Sequence, residues 1–162
     1  MNLSLRSTMV RLRRYRHDDL DRLASLLTDP AVMDRVGGSL RSDEVAGMLD
    51  RYLRDDDPIL LAARAAELED GTFVGSGRLA LGAREAPELG YLVHPAHRGR
   101  GVATAIARAL IELARTEHGF TRVLATVDPD HAASIRVLEK AGMTRRAVER
   151  DEEGELLVYA IG

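Results

Sequence analysis

Apolar residues recur along this chain with two different periods, and the switches between them mark its elements. Residues 9–14 alternate apolar and charged positions and predict a first strand. Leu20, Leu23, Leu26 and Leu27 fall at helical spacing within 17–28, and Asp29-Pro30 stops that helix, because proline drives its predecessor out of the α region. Residues 29–40, with Gly37-Gly38 inside, read as a loop. Ser42 can cap a second helix carrying Val45, Met48, Leu49, Tyr52 and Leu53, which ends at Asp55-Asp56-Asp57-Pro58. Residues 59–66 and 72–81 read as strands joined by a turn at Glu69-Asp70-Gly71. Glu88-Leu89-Gly90-Tyr91-Leu92-Val93 is a further strand, closed by Pro95. A helix follows over 102–116, with Ile106, Leu110 and Leu113 on one stripe and Arg108, Glu112 and Arg115 off it. Residues 121–127 form a strand apolar on both faces, as a central strand is. Residues 130–141 make the last helix, ended by Gly142, and 144–150 with 156–161 make a closing hairpin around Glu153-Gly154. The order βααβββαβαββ predicts one α/β domain over 1–162, a sheet of mixed direction with helices on both faces.

Candidate chemistry concentrates at His97-Arg98-Gly99-Arg100-Gly101-Val102-Ala103-Thr104, between the strand at 88–93 and the helix from 102. Two glycines at a strand-to-helix turn let the backbone approach a ligand, and the first amides of the helix have no intrahelical acceptor. With the positive end of the helix dipole, Arg98 and Arg100 complete an anion site suited to a phosphate or pyrophosphate. A P-loop needs a lysine and then Ser or Thr after its second glycine; Val102 and Ala103 stand there, and Lys140 is the only lysine. That removes the nucleoside triphosphate reading. A dinucleotide fingerprint needs Gly or Ala where Thr104 sits, and Asp128, near the distance for its acidic partner, is equally explained by an Asp-Pro turn. A dinucleotide-dependent oxidoreductase is therefore a weak third reading, and glycines serving only the turn are a further alternative.

Composition narrows the field. Twenty-three Lys and Arg against 26 Asp and Glu, a net charge of −3, argue against a surface that coats nucleic acid. The absence of cysteine excludes disulfides and thiolate metal sites and makes a reducing cytoplasm the expected compartment. No apolar run approaches the ~20 residues of a membrane helix, and residues 1–8 lack the apolar core of a signal peptide. His94 and His97 have no carboxylate or cysteine at ligand spacing and read as loop residues, not a metal pair; Tyr159 reads as a core aromatic.

The order Arg98-x-x-Gly101-x-Ala103, after Tyr91-Leu92-Val93-His94-Pro95, resembles the acetyl-CoA signature of the GCN5-related N-acetyltransferases (the GNAT superfamily). The stretch from Asp128-Pro129 through Ser134 to Gly142-Met143 resembles that family's next helix, normally entered by Asn and left by Gly-Phe. The resemblance runs from about 10 to 161 and is nearest the branch that acetylates ribosomal-protein N-termini. It implies a single-domain acetyltransferase fold with a mixed, mostly antiparallel sheet. It also implies acetyl-CoA as co-substrate, no metal, and direct attack by a primary amine: a peptide N-terminus, an amino acid or a small-molecule amine. Neither nucleic acid nor membrane is an expected partner, and dimers are common in that branch, which makes a homodimer a candidate assembly. A non-catalytic acyl-CoA-binding module is the alternative.

The resemblance also assigns residues. The strands at 88–94 and 121–127 should splay, with the pantetheine arm hydrogen-bonded near Leu92 and Val93 as an added strand would be. The pyrophosphate should sit on the amides of Gly99, Arg100, Gly101, Val102, Ala103 and Thr104, beside Arg98. Glu88, opening a bulged strand, should take the ammonium proton through a water, and Ser134 should donate to the departing thiolate, since Leu138 stands where many relatives carry a tyrosine. His131 replaces the Asn that contacts the cofactor arm and can donate one hydrogen bond when neutral. Asp34 and Arg35, in the loop that walls the family's acceptor site, are candidate substrate contacts.

Overall fold

In the computed structural model, which describes residues 9–162, the chain runs β1 (Arg11–Arg14), α1 (Leu20–Leu27), α2 (Pro30–Met33), α3 (Ser42–Leu53), β2 (Leu60–Glu67) and β3 (Phe73–Ala80). It continues β4 (Glu88–Val93), α4 (Val102–His118), β5 (Val123–Val127), α5 (Ala132–Lys140), β6 (Thr144–Asp151) and β7 (Gly154–Ile161), with single 3₁₀ turns at His17–Asp19 and Pro95–His97. The leader expectation for residues 1–8 lies outside the described residues. One helix was not expected. α2 forms inside the predicted loop because the Asp29 carboxylate accepts the Ala31 N–H at 2.9 Å and Pro30 occupies the first turn, where its missing N–H costs nothing.

The strands pair into one sheet in the order β1-β2-β3-β4-β5-β7-β6. Every neighbouring pair is antiparallel except β4 and β5. That parallel pair meets only at Glu88 opposite Leu124, with the Leu124 N–H donating to the Pro87 carbonyl at 2.9 Å, and then parts toward the C-terminal ends. The β3–β4 ladder runs without a register shift, so the expected bulge in β4 is absent. The Leu92 carbonyl comes so close to β3 that a Cβ on Gly75 would collide with its oxygen.

Helices cover both faces, as predicted. Leu23 and Leu26 of α1 with Val45 and Leu49 of α3 pack on Tyr15, Ala63 and Ala65 on one side of the sheet. On the other, Ile106 and Leu110 of α4 and Leu138 of α5 pack on Val74, Leu79, Leu89 and Val123, and each such side chain contributes about 1.5–3 kcal/mol. Alternation along β4 sends Leu89, Tyr91 and Val93 to the α4 side and Glu88, Gly90 and Leu92 to the α1–α3 side. The small residue at 77 lets α4 dock tightly, since a Cβ there would lie 3.0 Å from Ile106 and 3.1 Å from Leu110. At the β1–α1 corner the fully buried Asp19 accepts two bonds from Arg13, at 2.8 and 2.9 Å, and one from the Arg16 amide at 2.8 Å. No helix among the described residues is long and apolar enough to cross a membrane.

Candidate active site

Where β4 and β5 part, main-chain groups that would have paired across the ladder are left facing a gap. The His94 N–H donates to the Val74 carbonyl at 2.8 Å, so alternation turns the main chain of Leu92 toward β3 and that of Tyr91 and Val93 toward the gap. Of the two residues expected to hold an added strand, Val93 therefore offers its amide and Leu92 does not. The gap opens into a cavity of about 640 Å³ bounded by the end of β4, the start of α4, α5 and α2. That volume falls within the range of about 300–1,000 Å³ usual for small-molecule sites.

The glycine loop forms one end of this cavity. Gly99 and Gly101 have φ of +73° and +78°, in the left-handed region where a side chain is strained. The first bond of α4 runs from the Ala105 N–H to the Gly101 carbonyl at 3.0 Å, which leaves the amides of Val102, Ala103 and Thr104 ahead of any helical acceptor. Those three residues, Arg98, Gly99 and Gly101 line the cavity; Arg100 is exposed outside its wall. Arg98 Nη2 donates to the Ala31 carbonyl at 2.6 Å and ties the loop to α2. Arg35 pairs with Asp130 at 3.2 Å and ties α2 to the entry of α5. Asp34 and Arg35 thus stand on the cavity wall beside the loop. Arg35, Arg98, Arg136 and Lys140 line the cavity against the single acid Asp34, a field that favours a polyanion. His131 also lines it; burial, then Arg35, hold its imidazole below the ordinary range, so it is neutral at pH 7.

Two polar pairs lie on opposite faces of the sheet beside the fork. On the cavity side, the Tyr91 hydroxyl and Ser134 Oγ lie 2.6 Å apart, and burial pushes the Tyr91 phenol up, keeping it protonated through neutral pH. Tyr91 was missed as a site residue. Its signal was the spacing from Glu88, which on a strand puts the two on opposite faces. Leu138 is buried in the core, and Tyr159 is buried too, its hydroxyl 3.4 Å from Glu139. On the α1–α3 side, Glu88 lies off the cavity wall: one carboxylate oxygen accepts from Thr126 Oγ1 at 2.6 Å and the other from Arg84 at 3.2 Å. Arg84 also bonds Glu149. His94 accepts the Ala96 N–H at 3.2 Å, and no metal-ligand group of three or more His, Asp or Glu forms among the described residues.

A family model described as an acetyltransferase (GNAT) domain matches residues 9–144. YjcK of Bacillus subtilis (strain 168), a probable N-acetyltransferase, is 36% identical over 69 residues, 43% of this chain and 38% of that protein. The chain spans about two fifths of the length of the curated relatives it matches. Among solved structures, a GNAT-family acetyltransferase from Bacillus anthracis superposes with a TM-score of 0.82 at 20% identity, covering 96% of each chain. Spermidine N-acetyltransferase from Vibrio cholerae, solved with CoA and spermine, gives 0.79 at 16% identity over 94% of each chain. At those identities the likeness is one of fold.

Proposed function

This chain belongs to the GNAT acetyltransferase-domain family, and from that premise we propose that it moves an acetyl group from acetyl-CoA to an α-amine by direct attack. The observation that carries the reading is the fork: a parallel strand pair joined at one point, opening into a cationic cavity that ends on unpartnered helix amides. In this reading the pantetheine runs along Val93 with Leu92 packed beside it, and the diphosphate rests on the amides between Gly99 and Thr104 near Arg98 and Arg100. His131 donates one hydrogen bond to the cofactor arm.

The thioester then lies in the fork, between its two faces. The amine comes from the Glu88 side and passes its extra proton through a water to that carboxylate. Its nitrogen bonds the acetyl carbon, the C–S bond breaks, and the thiolate takes the proton of Ser134 on the other side; the second proton, lost from the nitrogen as the amide forms, passes through solvent to restore the Ser134 hydroxyl. At pH 7 an α-amine with a pKa near 7.8 costs only ~1 kcal/mol to deprotonate, against ~4.6 kcal/mol for a lysine near 10.4. A water-relayed base suits the former, which favours a peptide N-terminus (as in the branch that acetylates ribosomal proteins) or an amino acid over a lysine side chain.

Thiol release from acetyl-CoA across a panel of amines, alongside thermal shift with CoA and with NAD, tests this. CoA should stabilise the protein and thiol should appear only when amine is supplied. Stabilisation by CoA with no release for any amine would identify a non-catalytic acyl-CoA-binding module. Stabilisation by NAD alone would overturn the assignment.

A further inference from the structure

On the α1–α3 face, one cation beside the fork has no carboxylate at ion-pair distance among the described residues. Arg78 of β3 stands opposite Gly90 of β4, and its side chain lies across that glycine: a Cβ at position 90 would come within 2.9 Å of Arg78 Nε. The missing side chain is what lets the guanidinium arm reach over β4 on the face that carries Glu88, two residues along the same strand. Arg78 is exposed, and among the described residues it has no carboxylate at ion-pair distance. Its resolved electrostatic neighbour is the neutral Tyr52 phenol. Arg84, by contrast, is occupied by both Glu88 and Glu149.

We infer that Arg78 determines acceptor specificity, and that the acceptor amine carries a carboxylate near the nitrogen to be acetylated. The inference rests on the transfer reading and names the substrate class of that same site. An amine placed for Glu88 to deprotonate through a water stands beside Gly90. A carboxylate a few bonds away on the same molecule then meets the planar guanidinium fork, which can hold both its oxygens with parallel hydrogen bonds. A free amino acid has this chemistry, and so does a peptide with an acidic side chain at its N-terminal residue. A polyamine does not: its additional ammonium groups would be brought against Arg78 and Arg84.

Thiol release from acetyl-CoA is measured with matched acceptors: the common L-amino acids against their amides, the dipeptide Glu-Ala against Gln-Ala, and spermidine as the polycation. Each is run on the wild-type protein, Arg78→Met and Arg78→Glu. Comparing the acid-to-amide ratio between variants cancels the difference in amine basicity within a pair. The wild type should prefer the acid member. Arg78→Met should lower the ratio of kcat/KM by about tenfold or more, chiefly through KM, the scale of a lost charge-assisted bond. Arg78→Glu should turn the preference toward spermidine. An advantage for amino acids assigns the free metabolite, and one for Glu-Ala assigns the peptide. An unchanged ratio in Arg78→Met, or a wild type that prefers spermidine or the amides, overturns the inference and leaves the transfer reading standing. No release with any acceptor, while CoA still stabilises every variant, overturns the transfer reading and this inference with it.

Discussion

Removing both hydroxyls that meet across the cavity, Tyr91 and Ser134, should cost far more than the two single removals multiplied together. At 2.6 Å the pair shares one hydrogen bond, so one of its two protons is used between them and the other is left for the cavity. Ser134→Ala leaves Tyr91 with its own O–H, and Tyr91→Phe leaves Ser134 with its own. Each single variant therefore keeps a donor and loses only its orientation, worth about 0.5–1.5 kcal/mol, or roughly two- to tenfold in kcat. The double variant keeps none and should lose the full contribution of a positioned acid, about 10²–10⁴-fold. Single-turnover thiol release at pH 7.5 reads the chemical step without product release, and thermal shift with CoA checks that binding survives. The deficit should shrink as pH rises past about 8.5, where an alkyl thiol leaves comfortably as the anion, while the half-buried Tyr91 phenol, pushed up by desolvation, remains protonated. A double variant equal to the product of the singles would refute the shared-donor reasoning. Ser134→Ala alone causing the whole loss, with Tyr91→Phe silent, would assign the proton to the serine by itself.

Gly101→Val places a β-branched residue at a φ of +78°, with strain of about 1–2 kcal/mol or more, and should abolish the CoA thermal shift while the far-UV spectrum is retained; a normal shift would put the diphosphate elsewhere. Glu88→Gln preserves an acceptor for Thr126 and removes the base, so turnover should fall and the acidic limb of the pH–rate profile should vanish. An intact limb rejects Glu88. Asp19→Asn removes the charge of a fully buried carboxylate paired to the mostly buried Arg13 and should cost about 3–5 kcal/mol in urea unfolding, while a loss under ~1 kcal/mol would mean that this pair does not fasten the corner. Burial raises the Asp19 carboxyl, but the bonds from Arg13 and the Arg16 amide outweigh it and hold it below the ordinary value. Its stabilisation is accordingly complete above the unfolded value of about 3.9 and disappears as pH falls through the folded one, and the variant should lack that acid-dependent component.

What could be read in advance was local. Gly99 and Gly101 announce left-handed turns, Val102 onward announces a helix, and the amides between them follow from those two facts alone. Strand periodicity located all seven strands, but α2 is a single turn held by Asp29 and Pro30 and has no period to detect. Contacts between distant segments were invisible. Tyr91 meets Ser134 over 43 residues and Glu88 meets Thr126 over 38, and both depend on strand register and helix placement, not on composition. The same holds for Arg78 and Gly90, which are neighbours only because β3 and β4 pair as they do. The bulge expected in β4 is absent for a related reason: β3 and β4 keep one register along their whole ladder, and the close approach of the Leu92 carbonyl is met by the missing side chain at position 75 on the partner strand.

One consequence of strand geometry governs the chemistry proposed for the fork. Glu88 and Tyr91 are separated by an odd number of positions on β4, and a period of two sends them to opposite faces. Direct attack on a thioester in the gap needs a proton taken from the incoming amine and another supplied to the departing sulfur, two tasks at two different atoms of one tetrahedral centre. No single side chain of β4 projects to both faces, so residues of opposite parity can divide the two tasks. In the proposed chemistry Glu88 takes one, with Thr126 of β5 hydrogen-bonded to it, and Tyr91 takes the other through Ser134 of α5. The partners come from the two elements that flank the gap, so widening the fork at the Glu88–Leu124 bridge should weaken both halves together. Replacing Thr126 by Val removes the clasp to Glu88 without touching the cavity side. It should lower turnover, since the carboxylate loses the donor that orients it, and should leave the Tyr91–Ser134 coupling as it was. A change in that coupling would show that the two faces are not independent.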